Sequence, residues 1–276
     1  MKHILLLTDY SKNSINAMRY ALQLFEHHIC KFYLLHVQSS STYTTDDLIL
    51  AGNASVYSAI VKKAKHKLSK LVTSLEKEVK HGNFSFETLI DYDALTDAIT
   101  QVVVSKNINL IVMGSNGVTG AKEVIFGSNT INVIRKVDCP TLVIPEKFEY
   151  KKPNDVLLPL DVPDSTSGMA FTAIVEFTEK FCKTLHILRI QPYAKNSKEE
   201  KRDRAHLDTL KQTNYVYHKI NNVPIPYVVA CYSQTHNIDL IAIIAKRESL
   251  FDRFFSGSPT TQITHKIKVP LLVSHS

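Results

Sequence analysis

Residues 112–134 read VMGSNGVTGAKEVIFGSNTINVI, and the fold follows from the change of period within that stretch. A short apolar run, residues 110–113, stops at Gly114. Gly117, Gly120 and Gly127 follow, and then Ile131, Ile134 and Val137 recur at three-residue spacing on one face. The pattern is strand, glycine loop, helix. The chain has only 8 glycines, and four of them lie within these 14 residues. Backbone without a Cβ adopts positive φ and lets a ligand approach closely. A loop feeding a helix start presents unpaired N–H groups at the positive end of the helix dipole, where phosphate is the usual occupant. Ser128 and Asn129 stand where a cap is expected, able to bond helix N–H groups or a phosphate oxygen. The alternative is a plain turn at Gly114 and Gly117 with Ser128 as the N-cap. Four glycines bounded by strand and helix favour an anion loop.

The loop lacks G-x-x-x-x-G-K-S/T, and its spacing is not G-x-G-x-x-G. It reads G-x-x-G, nine residues, then G-S/T. At these residues the chain resembles the universal stress protein family. Members carry this loop after the fourth strand of a five-stranded parallel sheet, and many bind ATP there.

At 276 residues the chain is long for one domain and comfortable for two. Hydrophobic content of 44% and charged content of 21% are those of a soluble globular protein. No apolar run approaches the ~20 residues needed to span a bilayer. The apolar start, residues 4–7, is too short for a signal peptide. Cys30, Cys139, Cys182 and Cys231 form no C-x-x-C and read as reduced, mostly buried thiols of a cytoplasmic protein. A net charge of +7 permits weak attraction to anionic surfaces. The densest cluster, Lys62, Lys63, Lys65, Lys67 and Lys70, lies opposite an apolar helical stripe (Ala64, Leu68, Leu71, Leu75). No aromatic residues interleave with it, so a solvated helix face is favoured over a nucleic-acid site.

The order of elements is regular. Residues 3–8 and 31–37 read as strands, with Ser11 capping a helix between them that runs to about His27. A polar loop, the lysine-rich helix, a strand from Phe84, a helix over 94–105, a strand over 108–113, the glycine loop with its helix, and a strand over 140–144 follow. Strands alternating with helices predict a parallel sheet covered on both faces. The order then repeats. KHILLLTDYSKNS returns as NDVLLPLDVPDST at residues 154–166, placing Asp161 152 positions after Asp9. LLHVQ at 34–38 returns as ILRIQ at 187–191, and NLIVM at 109–113 as DLIAI at 239–243. Gly127–Ser128 returns as Gly257–Ser258, and VDCPTLVIP as IKVPLLVSH. Two copies of one α/β unit are predicted, residues 1–146 and 153–276, with the charged, proline-bounded segment EKFEYKKP as the hinge. The second copy replaces Gly114 and Gly117 by the bulky run AKRESLFDRFF, residues 245–255. A side chain at a close-approach position should block a pyrophosphate, so this half is expected to be degenerate.

The tandem pattern resembles two-domain universal stress proteins, giving two five-stranded, Rossmann-like parallel sheets. It implies that strands 140–144 and 270–274 meet at the seam, an intramolecular pseudo-dimer that leaves a homodimer open. Carried over by position, the resemblance places Thr8 and Asp9 beside the nucleotide and Val37 against the adenine. Met113, Gly114, Gly117, Gly127, Ser128 and Asn129 fall in the loop that holds ribose and phosphates. Asp9 could accept ribose hydroxyls, hold a metal or cap the first helix, with Ser11 competing for that last task. The implied ligand is ATP, with phosphate charge met by backbone dipoles, Lys122 and Mg²⁺. Catalysis finds little support: there is no G-x-S-x-G elbow, no H-E-x-x-H and no base beside a nucleophile. His36, between apolar neighbours, reads as a satisfied histidine. The expectation is a nucleotide-binding stress regulator with a protein partner. Its rivals are a nucleotide-free scaffold using Phe251, Phe254 and Phe255, and a nucleotide-dependent transferase.

Overall fold

Strands buried on both faces need helices on both sides, and β1 (Lys2–Leu7) is such a strand: Ile4, Leu5 and Leu6 are all 0% exposed. In the computed structural model, residues 1–38, 54–79, 83–115, 126–161, 164–191, 197–210, 212–245 and 268–276 are described. The first half continues with β2 (Cys30–Val37), β3 (Phe84–Asp91), β4 (Leu110–Gly114) and β5 (Thr141–Ile144). The second holds β6 (Asp155–Leu160), β7 (Thr184–Gln191), β8 (Tyr215–Asn221), β9 (Leu240–Ala245) and β10 (Leu271–His275). All ten join one sheet in the order β3-β2-β1-β4-β5-β10-β9-β6-β7-β8. Pairing is parallel inside each half and antiparallel only where β5 meets β10, with Leu142 opposite Leu272. The seam expected from the family resemblance is therefore the seam observed, and it covers what would be two open sheet edges.

Strand periodicity divides the core into two layers. Ile4, Leu6 and Leu34 point toward α1 (Lys12–Leu24), α2 (Ala54–Glu78) and α5 (Met169–Phe181), packing on Met18, Leu68 and Ile174. Leu5, Leu7 and Leu35 point the other way, toward Ile99 of α3 (Leu95–Lys106), Val133 of α4 (Ser128–Lys136) and Val228 of α7 (Ile225–Thr235). The remaining helix, α6 (Ser197–Leu207), follows β7. Ser11 caps α1 as predicted, accepting the Ser14 N–H at 3.1 Å, but the helix closes at Leu24 rather than running to His27. On α2, Ala64, Leu68 and Leu75 are buried and the five lysines are exposed, a solvated face. The segment read as a hinge is pinned to both halves. Phe148 O accepts from Asn16 Nδ2 at 2.9 Å, Tyr150 packs edge-on against Tyr20, and Lys151 pairs with Asp239 at 2.7 Å.

The thiols need correction: Cys30 and Cys139 are buried, Cys182 is partly buried and Cys231 is exposed. Burial, with Asp138 nearby, pushes the Cys139 thiol up to about 12; burial, with Asp239, does the same to Cys182. Only the thiolate attacks a disulfide reagent. Ellman's reagent is therefore expected to titrate Cys231 promptly in the native chain and all four cysteines only after denaturation. Prompt loss of colour yield in Cys139→Ser instead of Cys231→Ser would contradict this.

Candidate functional site

Parallel strands ending together leave a crevice at their carboxyl ends. Here that crevice is a cleft of about 500 Å³. Its walls are Leu7, Thr8 and Asp9 ending β1, Ser14 on α1, Leu35 and Val37 on β2, and residues 92–95 after β3. Met113 and Gly114 of β4, with Asn129 and Thr130 opening α4, complete it.

The β1–α1 turn is built by its own side chains. Thr8 Oγ1 accepts the Tyr10 N–H at 3.0 Å and meets Ser14 Oγ at 3.1 Å. Asp9 Oδ1 accepts the Ser11 N–H at 2.9 Å. Asp9 thus shapes the turn while Ser11 caps the helix, and the two do not compete. Tyr10 sits in the left-handed region at φ 63°, a conformation that costs a non-glycine residue energy unless its surroundings hold it. They do: its ring lies 4.4 Å from that of His36, Lys67 Nζ is 5.4 Å from its centroid, and its hydroxyl donates to Ala64 O at 3.4 Å. His36 is satisfied, its Nδ1 donating to Thr8 O at 2.9 Å.

Across the cleft, Asp91 Oδ1 accepts the N–H groups of Tyr92 and Asp93 at 2.7 and 2.9 Å. Residues 92–95 line the cleft, and sequence reading missed them. The signal was the run DYDA after the third strand, in which an aspartate can fold the backbone back on itself.

The glycine loop leaves and returns at one point. Ser115 O accepts the Gly127 N–H at 2.9 Å and Thr130 Oγ1 at 3.0 Å. Gly117, Gly120 and Lys122 lie outside the described residues. The cap expected at Ser128 is displaced by one: Gly127, which has no side chain to bond the helix N–H groups, is the N-cap of α4, and Ser128 is the first helical residue. Of the sequence-predicted residues, Thr8, Asp9, Val37, Met113, Gly114 and Asn129 line the cleft, while Gly127 and Ser128 stand beside it at the helix start. Gly114 also serves a purpose beyond ligand approach. A Cβ there would lie 2.5 Å from Asn13 Nδ2, so the missing side chain admits α1 against β4.

In the second half, Arg189 takes the place of His36, and its buried guanidinium holds the corresponding turn. It forms a fork with Asp203 of α6 at 2.7 and 2.8 Å and reaches the carbonyls of Asp161 and Asp164. Tyr217 and Thr166 donate to the same carboxylate. Ile244, buried, stands where the first half has Gly114. Of the run expected to block a ligand, residues 245–255, Ala245 is buried at the end of β9, and residues 246–255 lie outside the described residues.

Fold and cleft define a class: open parallel α/β units with a ligand crevice at the strand carboxyl ends. The model of the Universal stress protein family matches residues 1–145, and the chain belongs to that family. Universal stress protein MJ0577 of Methanocaldococcus jannaschii is 27% identical over 155 residues, 53% of this chain and 96% of its own length. Universal stress protein YxiE of Bacillus subtilis is 25% identical over 143 residues, 51% of this chain and 97% of its own. A universal stress protein structure from Archaeoglobus fulgidus aligns over 99% of this chain and 96% of its own, with TM-score 0.66 and 17% identity, a likeness of fold. Among the described residues no helix is long and apolar enough to cross a membrane.

Proposed function

We propose that residues 1–146 form an adenine-nucleotide-binding domain, that residues 153–276 form a degenerate partner domain, and that the protein is a cytoplasmic regulator whose ligand is ATP. The observation that carries this reading is the composition of the cleft. Leu35, Val37 and Met113 offer an apolar wall suited to a base, while Thr8, Asp9, Asn129 and Thr130 place polar groups beside it. A space of about 500 Å³ falls within the roughly 300–1,000 Å³ of small-molecule sites. The glycine-capped start of α4 supplies N–H groups and a favourable dipole for phosphate.

The charge balance also bears on the ligand. The described cleft residues include two carboxylates, Asp9 and Asp93, and no lysine or arginine. Those carboxylates are hard oxygen donors of the kind Mg²⁺ takes. A bound Mg²⁺ would neutralise phosphate charge, with Asp9 and Asp93 as its protein-side donors and Lys122 as a further cation. Among the chain's own groups, Asp9 also suits ribose hydroxyls, and Val37 excludes water from the base.

Calorimetry with ATP and Mg²⁺ tests this. The expected result is one site per chain, lost in Val37→Trp, which fills the apolar wall, and in Gly117→Val, with the circular dichroism spectrum unchanged. Absence of binding to the unaltered protein, or two equivalent sites per chain, would remove the reading.

A further inference from the structure

A second cleft, of about 360 Å³, opens at the seam between the halves, at the amino ends of β1 and β4. It lies at the opposite end of those strands from the first cleft. Its apolar walls come from both halves: Ile4, Phe25 and Leu110 from one, Phe177, Phe181 and Leu272 from the other. Phe181 meets Phe25 edge-on at 4.9 Å and Phe177 at a tilt at 4.9 Å, which makes one aromatic wall.

Two ammonium groups stand over the Phe181 ring: Lys2 belongs to the lining, and Lys180, exposed, lies outside it. Lys2 Nζ is 5.7 Å and Lys180 Nζ 5.8 Å from the centroid of the Phe181 ring. Burial, then the neighbouring Lys180, pulls the Lys2 ammonium below its ordinary value. The single carboxylate of the lining is Glu176, and among the described residues neither ammonium forms an ion pair with it. The local balance is therefore positive, beside an apolar space large enough for a small molecule. Like charges gathered at an apolar wall cost energy that an anion would relieve.

The geometry points to a binding site for a small monocarboxylate with an apolar chain, its carboxylate between Lys2 and Lys180 and its chain among Phe177, Phe181 and Leu272. An unbranched fatty acid of medium length has this chemistry. The site uses both halves, so it exists only in the tandem chain, and it is separate from the cleft proposed for the nucleotide.

Calorimetric titration of the full chain with octanoate tests the assignment, with octan-1-ol as the uncharged control. One octanoate per chain is expected, bound at least tenfold more weakly by Lys2→Gln/Lys180→Gln, as for loss of charge-assisted hydrogen bonds. Ala173→Leu, which adds bulk to the lining, should weaken octanoate and octan-1-ol alike. Octanoate affinity should be the same with and without saturating ATP. The assignment is overturned if octanoate does not bind, if the double lysine variant binds it as well as the unaltered chain, or if ATP displaces it.

Discussion

Arg189→Met is expected to be among the most destabilising single substitutions in the chain, by roughly 3–5 kcal/mol, because it strands a buried carboxylate. Arg189 is 1% exposed and Asp203 4%. Without the guanidinium, Asp203 keeps only the neutral donors Tyr217 and Thr166, and the carbonyls of Asp161 and Asp164 lose a shared donor. The pair itself adds little over an apolar replacement, since desolvation offsets most of its attraction. Arg189→Met/Asp203→Leu should therefore be closer to the unaltered chain than Arg189→Met alone. Urea unfolding of the three proteins reads both effects. A near-neutral Arg189→Met, or a double variant less stable than Arg189→Met alone, would contradict this account. If the halves unfold separately, only the transition assigned to residues 153–276 should move.

Gly114→Ala is the second large effect, and it separates two explanations of one glycine. The added Cβ would stand 2.5 Å from Asn13 Nδ2 and 2.8 Å from its Cγ, distances real Cβ atoms do not adopt. Asn13 is buried on α1, so its amide must swing away or the helix or strand end must shift, at a cost of about 1–3 kcal/mol for overpacking. Asn13 and Gly114 both lie beside the cleft, so ATP affinity should fall with stability. Asn13→Ala/Gly114→Ala removes the clash and should recover stability. If bare backbone at 114 serves helix packing alone, ATP binding returns in the double variant. If a phosphate or ribose needs that space, stability returns without binding.

The comparison of Gly114 with Ile244 shows where sequence reading reaches its limit. Gly114 is visible as a loop glycine at a strand end, and an anion loop is the natural inference. That a helix presses on it from the other side is invisible, because Asn13 and Gly114 are 101 positions apart. The same holds for Arg189. Its place in ILRIQ suggests a strand residue facing water, yet its partner lies on the next helix, and the charge is buried because that partner exists. Residues 92–95 were passed over for a related reason: their apolar and polar character carries no period, and only the convergence of three strand ends makes them a wall.

The family resemblance implied the cleft positions Thr8, Asp9, Val37 and Met113, and the chain's own order of residues determined the alternation of strands and helices and the two copies of one unit. Those features depend on local period and on spacing along the chain, which folding preserves. Tertiary structure alone decided the antiparallel meeting of β5 and β10, the cap at Gly127, the Arg189–Asp203 pair and the lysine-edged cleft at the seam. Each of these arises between groups far apart in the chain or from backbone geometry, and their energies come from burial and distance, which exist only once the segments have packed.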